Sequence, residues 1–156
     1  MHFELKDVFT LSFAAIGMVL GIINTMHNLN QKRIKLKVIP KLAMQFDARG
    51  EFGPDLTCIE VINLSTFPVT VTEVGYALKG HPRKGKRATI PQPIVMDGKP
   101  WPRRLESRQS VTVYIDPKMI PPGIGKAYAF TDCMETAMGD SPALEQLRKK
   151  LLSGQV

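Results

Sequence analysis

Cys58 and Cys133 are the only thiols of this chain, and its three histidines, His2, His27 and His81, are widely separated. A nucleophilic thiol needs a base beside it, and a metal site needs several ligands at short, regular spacing. The histidines fall in the N-terminal tail, just beyond an apolar run and in a basic loop, so neither pattern is present. Both cysteines lie in strand-like runs, where the expected role is that of a small buried apolar residue. Asp132, Glu135 and Asp140 gather acids near the last strand, a place where acids are usually solvated. Gly80-His81-Pro82-Arg83-Lys84-Gly85-Lys86 fits the G-x-x-x-x-G-K frame of a phosphate-binding loop, which needs Ser or Thr next and then a helix. Arg87 and Ala88-Thr89-Ile90-Pro91-Gln92-Pro93 follow instead, so a solvated basic loop is expected. The chain is therefore not expected to be an enzyme, and no catalytic, cofactor or metal site is assigned.

Recognition offers more than catalysis. Trp101, the one tryptophan, stands in Lys99-Pro100-Trp101-Pro102-Arg103-Arg104. Tryptophan and arginine are enriched in binding hot spots, so Trp101, Arg103 and Arg104 are candidates for anchoring a protein partner. Alternatively, Trp101 closes one end of a folded domain. The chain carries 21 Lys and Arg against 14 Asp and Glu, a net charge of +7. The basic residues cluster in Lys32–Lys41, in Lys79–Arg87, and at Lys99, Arg103, Arg104 and Arg108. No nucleic-acid module is recognisable and the aromatics do not alternate with the basic loops, so nucleic-acid binding is not expected.

Val8 to Ile23 is a run of 16 residues without a charge. As a helix it covers about 24 Å, and including Asn24, Thr25 and Met26 brings it closer to the roughly 30 Å of a bilayer core. Apolar residues occur all round, which argues against a helix lying flat on a surface. The acidic start and the absence of a small-x-small site argue against a cleaved signal peptide. A transmembrane helix is expected. Lys6 is the only basic residue before it besides the acids Glu4 and Asp7, whereas Lys32, Arg33, Lys35, Lys37 and Lys41 follow. That excess orients the C-terminal side to the cytoplasm of an inner membrane, where both cysteines stay reduced. The five cations are also expected to attract anionic lipid headgroups. Gly17 and Gly21 form a G-x-x-x-G pair on which two helices can approach, giving self-association or docking to a partner's helix.

Beyond residue 33 the apolar period becomes two. Ile34, Leu36 and Val38, then Leu42, Met44 and Phe46, alternate with other residues around Pro40, and a turn is expected over Arg49–Asp55. Leu56–Leu64 and Val69–Leu78 are β-branched runs; in the second, Val74 and Tyr76 fall out of phase with Val69 and Val71 unless a bulge lies near Thr72 or Glu73. A weak strand over Ala88–Met96, a clean one over Ser110–Asp116 and a last one over Lys126–Cys133 follow. Six or seven short strands without interposed helices imply an antiparallel sandwich or small barrel. One short helix ends the pattern, with Ser141 as cap, Pro142 in the first turn, a Leu144, Leu147, Leu151 stripe and Gly154 after it. The division is then 1–31 for the anchor, 32–139 for the β domain and 140–156 for the last helix.

Asn63-Leu64-Ser65-Thr66-Phe67-Pro68-Val69-Thr70-Val71, followed by Leu105-Glu106-Ser107-Arg108-Gln109-Ser110-Val111-Thr112-Val113, resembles the N-x-G-x-x-P-V-x-V … L-x-P-G-x-S-x-x-V framework of bacterial immunoglobulin-like sandwich domains. Ser107 and Arg108 stand where that framework has Pro-Gly. The whole chain is also similar to small bacterial and prophage proteins in which a membrane helix precedes such a domain. The resemblance implies a mainly β fold, with an N-terminal transmembrane helix, an antiparallel immunoglobulin-like β-sandwich and a short C-terminal helix. It implies no activity. The expected function is a membrane-anchored, non-catalytic interaction module in an envelope or prophage-encoded complex; the alternative is a structural component of a multi-copy assembly.

Overall fold

The computed structural model describes residues 5–46, 52–78 and 86–154. They form two compact units, residues 1–33 and residues 34–156. The first is a single helix, α1 (Leu5–Gln31). Val8–Gln31 within it contains an 18-residue window of mean hydropathy 1.9 and is long and apolar enough to cross a membrane. Its 24 residues rise about 36 Å, so the helix runs past Ile23, where the uncharged apolar run stops. Hydroxyls along it are satisfied inside the helix: Ser12 Oγ donates to Val8 O and Thr25 Oγ1 to Gly21 O, each at 2.8 Å. From Val8 to Gln31 all its apolar side chains are exposed.

The second unit is built of strands β1 (Leu36–Phe46), β2 (Phe52–Asn63), β3 (Val69–Leu78), β4 (Arg87–Thr89), β5 (Arg103–Leu105), β6 (Ser110–Ile115), β7 (Ile124–Thr131) and β8 (Thr136–Gly139), followed by helix α2 (Pro142–Ser153). One antiparallel sheet has the order β1-β2-β6; the other has the order β4-β3-β7-β8, with β5 on β3 beside β4. Val38, Ile59, Val61 and Val113 of the first sheet and Val71, Val74, Tyr76 and Ala129 of the second share one core. Leu144 and Leu147 of α2 belong to that core as well, so the last helix is part of the β domain's interior.

Several local expectations meet their physical reasons here. Pro40 does not break β1, because β1 is an edge strand and a missing N–H on the outer side costs no ladder bond. The Pro40 carbonyl, on that outer side, accepts from Ser141 Oγ at 2.6 Å, and Ser141 Oγ in turn accepts from Leu144 N at 3.1 Å, capping α2. Gly154 ends α2 in the left-handed region, φ 67°. The β3 bulge is present: the register with β7 shifts between Val71 and Glu73, leaving Thr72 unpaired and returning Val74 and Tyr76 to the core. Three expectations need correction. β2 begins at Phe52, with Gly53 and Pro54 inside the strand rather than in a turn. The strand expected over Ala88–Met96 is reduced to β4 and one bridge, Ile94 to Tyr114, because Pro91 and Pro93 interrupt the ladder. Lys126–Cys133 is not the last strand: the chain turns at Met134, φ 64°, and returns as β8.

One end of the domain is held by a buried side chain. Asn63 Nδ2 donates to the carbonyls of Phe67, Leu105 and Glu106 at 2.8, 3.0 and 3.2 Å, and its Oδ1 accepts from Ser65 N at 2.9 Å. A turn follows β5 without Pro-Gly. Arg108 takes the left-handed conformation, φ 63°, that a glycine would adopt without strain. Its N–H donates to Asn63 O at 2.8 Å, and Ser107 Oγ donates to Ser65 O at 2.7 Å.

Candidate functional site

The tryptophan segment is folded against the domain. Trp101 is half-buried on the core, and its Nε1 donates to Thr72 O at 2.8 Å. Thr72 is the extra residue of the β3 bulge, so the indole satisfies a carbonyl that the bulge removes from the ladder. Arg103 is mostly covered and pairs with Asp97, while Arg104 is exposed and pairs with Glu106 at 3.1 Å. Of the three candidate partner contacts, Arg104 alone is exposed. The signal for Trp101's partner was the phase slip in β3, which predicts a bulge but not what completes it.

The thiols differ sharply. Cys58 lies on the outer face of the first sheet, between Lys41 and Tyr114 in register, and is buried by its neighbours. Burial pushes its thiol pKa up, against a smaller opposing effect of Lys41. Cys133 is exposed in the β7–β8 turn, contrary to the expectation of a buried residue, because β7 ends two residues earlier. Its Sγ donates to Asp132 Oδ1 at 3.4 Å, and that bond raises the thiol's pKa. No histidine among the described residues bonds either sulfur, since His27 lies on α1, where it pairs with Gln31. Among the described residues no group of three metal-ligating side chains comes together.

The basic clusters separate in the same way. Residues 79–85, which hold most of the G-x-x-x-x-G-K frame and His81, lie outside the described residues, as does His2. Arg87 stacks 5.0 Å from the Tyr128 ring centre and 5.5 Å from that of Phe130 on the outer face of the second sheet. Lys41 is drawn to Glu60 at 2.7 Å, a pairing that raises its pKa. Lys32, Arg33, Lys35 and Lys37 are exposed. An added Cβ at Gly17 or Gly21 would meet nothing within 4 Å, so the G-x-x-x-G stripe is open.

A cleft of about 360 Å³ opens at the opposite end of β6 from Arg108, lined by Tyr76, Ile90, Ile94, Tyr114, Met119 and Ile120 among others. Ligand pockets usually span roughly 300–1,000 Å³, so this one suits one or two apolar side chains. It adjoins an incompletely covered sheet edge. Tyr114 N donates to Ile94 O at 2.9 Å, so its backbone faces away from β2. The two-residue period turns the Thr112 N–H and C=O the same way. No family model matches the chain, and no curated protein matches it. The geometry itself offers apolar burial, an edge ladder and exposed cations.

Proposed function

We propose that the chain is a single-pass protein of an inner (cytoplasmic) membrane, anchored by α1, with its β domain an immunoglobulin-like sandwich in the cytoplasm. In this reading the domain is a non-catalytic interaction module, an accessory subunit of an envelope or prophage-encoded complex. The observation that carries it is α1 itself: a 24-residue candidate span whose apolar side chains are all uncovered, in a chain whose β domain has its own core. A soluble protein would not leave that much apolar surface uncovered. The excess of cations after the helix supports the orientation, and the cleft with the Thr112 edge supports docking of an extended partner segment.

Washing isolated membranes with alkaline carbonate tests the anchor: retention in the pellet is expected, and release into the wash would overturn it. Native mass measurement of the detergent-extracted chain then separates two kinds of assembly. Co-purification of one copy with a different protein supports the accessory role. A fixed multi-copy oligomer of this chain alone supports instead a structural component, the reading favoured by the open Gly17, Gly21 stripe.

A further inference from the structure

The end of the β domain nearest the membrane helix in the chain combines exposed cations with exposed apolar loop residues. Lys35 is joined to the loop after β2: its N–H donates to Ser65 Oγ at 2.8 Å, and its carbonyl accepts from Leu64 N at 2.7 Å and from Ser65 Oγ at 3.5 Å. The Asn63 side chain holds Phe67 in the same loop, and Arg108 is bonded to Asn63 O. Lys35, Lys37, Leu64, Phe67 and Arg108 therefore belong to one rim of the first sheet. Leu64 is 50% exposed, Phe67 is half-buried, and Lys35, Lys37 and Arg108 are exposed. None of the three cations is in an ion pair among the described residues. The nearest carboxylate in sequence, Glu106, is engaged by Arg104.

Covalent length limits where this rim can be. Lys35 is four residues beyond Gln31, the last of α1, and four extended residues reach at most about 14 Å. A span of about 36 Å exceeds the hydrocarbon thickness of roughly 30 Å, which places the end of α1 among the headgroups of any bilayer it crosses. Lys35 is then tethered close to charged lipid, at a range comparable with the screening length of about 8 Å in physiological salt. Ordinary loop residues at such a place would be polar. Here a leucine and a phenylalanine are surrounded by unpaired cations, the combination that lets apolar groups enter the headgroup layer while cations meet phosphate.

Resting on the reading of α1 as a membrane span, we propose that this rim is a second membrane contact. Leu64 and Phe67 enter the interface of the bilayer that α1 crosses, and Lys35, Lys37 and Arg108 bind its anionic headgroups. The β7–β8 turn at the same end of the domain belongs to the other sheet and carries Asp132 and Glu135, both exposed. It is repelled by anionic lipid, so the domain leans on its first sheet and keeps Cys133 in water.

The full chain in lipid nanodiscs tests this. A fluorophore is placed at position 64 by Leu64→Cys in a Cys133→Ser background, and on native Cys133 in a parallel sample; Cys58 is buried and does not label in the folded state. Nitroxides on lipid headgroups act as quenchers, in phosphatidylcholine discs with and without phosphatidylglycerol. Quenching at position 64 is expected to be several-fold stronger in the anionic discs and to fall to the neutral-disc level when Lys35, Lys37 and Arg108 are changed to Gln. The label on Cys133 is expected to stay unquenched in both. A chain that fails to co-elute with the discs overturns the membrane span. An incorporated chain whose probe at position 64 is unquenched, or is quenched no more than the one at Cys133, overturns the lipid-binding rim and leaves the span standing.

Discussion

Replacing Asn63 by Asp puts an oxygen where the amide nitrogen now faces the carbonyls of Phe67, Leu105 and Glu106. Truncation to Ala only removes the partner; an unmet buried polar group costs about 1–3 kcal/mol. Asp adds repulsion, and its carboxyl folds only in the protonated form, so its pKa is raised in the native state. Such a raise gives stability that is present below the unfolded value near 3.9 and is lost as pH increases. Urea melts of the two variants are thus expected to be similar near pH 4 and to diverge by pH 7, with Asp the weaker. Tyr76 makes a parallel case at high pH. Burial pushes its phenol up to about 12, so the fold loses stability between pH 10, where the unfolded phenol ionises, and about 12. Tyr76→Phe is expected to cost about 1 kcal/mol at neutral pH, from the loss of one hydrogen bond to Thr57 at 3.3 Å, and to flatten that alkaline loss. Cys133 reports on a single neighbour. With its thiol raised by Asp132, its alkylation at neutral pH is expected to be slower than that of a free thiol and to speed up in Asp132→Asn; equal rates would show that the Sγ–Asp132 bond does not form in solution.

The β3 bulge, Trp101 and the segment between β4 and β5 act as one element. Trp101→Phe keeps a ring on the core but leaves the Thr72 carbonyl without the indole N–H, a cost of about 1–3 kcal/mol. Trp101→Ala adds a cavity to this and is expected to cost more, about 3–5 kcal/mol. If denaturant melts instead show Trp101→Ala within experimental error of the parent chain, the indole is free for a partner after all. At the other closure, Ser141→Ala removes both the cap of α2 and the bond to Pro40 O, and is expected to cost about 1–2 kcal/mol. Much of this level was legible in the residue pattern. The α2 stripe and its caps, the period-two runs of β1, β2 and β6, and the bulge in β3 all followed from spacing. β5 and β8 did not, because three or four residues hold too few alternations to show a period. Their existence depends on partners: Arg103–Leu105 pairs with Val69–Val71, and Thr136–Gly139 with Ala127–Phe130. The cleft was equally illegible, since its walls come from Tyr76, from residues between 88 and 94 and from residues between 114 and 121, which only the tertiary fold brings together.

For the molecule as a whole, the exposure difference between its two thiols makes topology measurable without mutation. A membrane-impermeant maleimide is expected to modify Cys133 only after spheroplasts are opened, and Cys58 only after the domain is also unfolded; labelling of Cys133 in intact spheroplasts would reverse the orientation. Association through α1 is expected to weaken when Gly17 and Gly21 are changed to Leu, because bulk on that stripe separates backbones, and an unchanged signal in a membrane two-hybrid assay would exclude the stripe as an interface. The position of Leu144 and Leu147 in the core has a consequence for biosynthesis. α1 precedes every strand in the chain, and since its backbone bonds close within the helix it can form before any strand pairs. The β1–β2 hairpin can follow locally, but β6 pairs with β2 across a long stretch of chain, and α2 is synthesised after every strand. With α1 read as a membrane span, translation passes through a stage in which the nascent chain is already tethered while its valine-rich strands lack the helix that seals them. Such intermediates are prone to aggregate. Ribosomes stalled within α2 are expected to hold a protease-sensitive domain, and release of the finished helix to convert it into a resistant one.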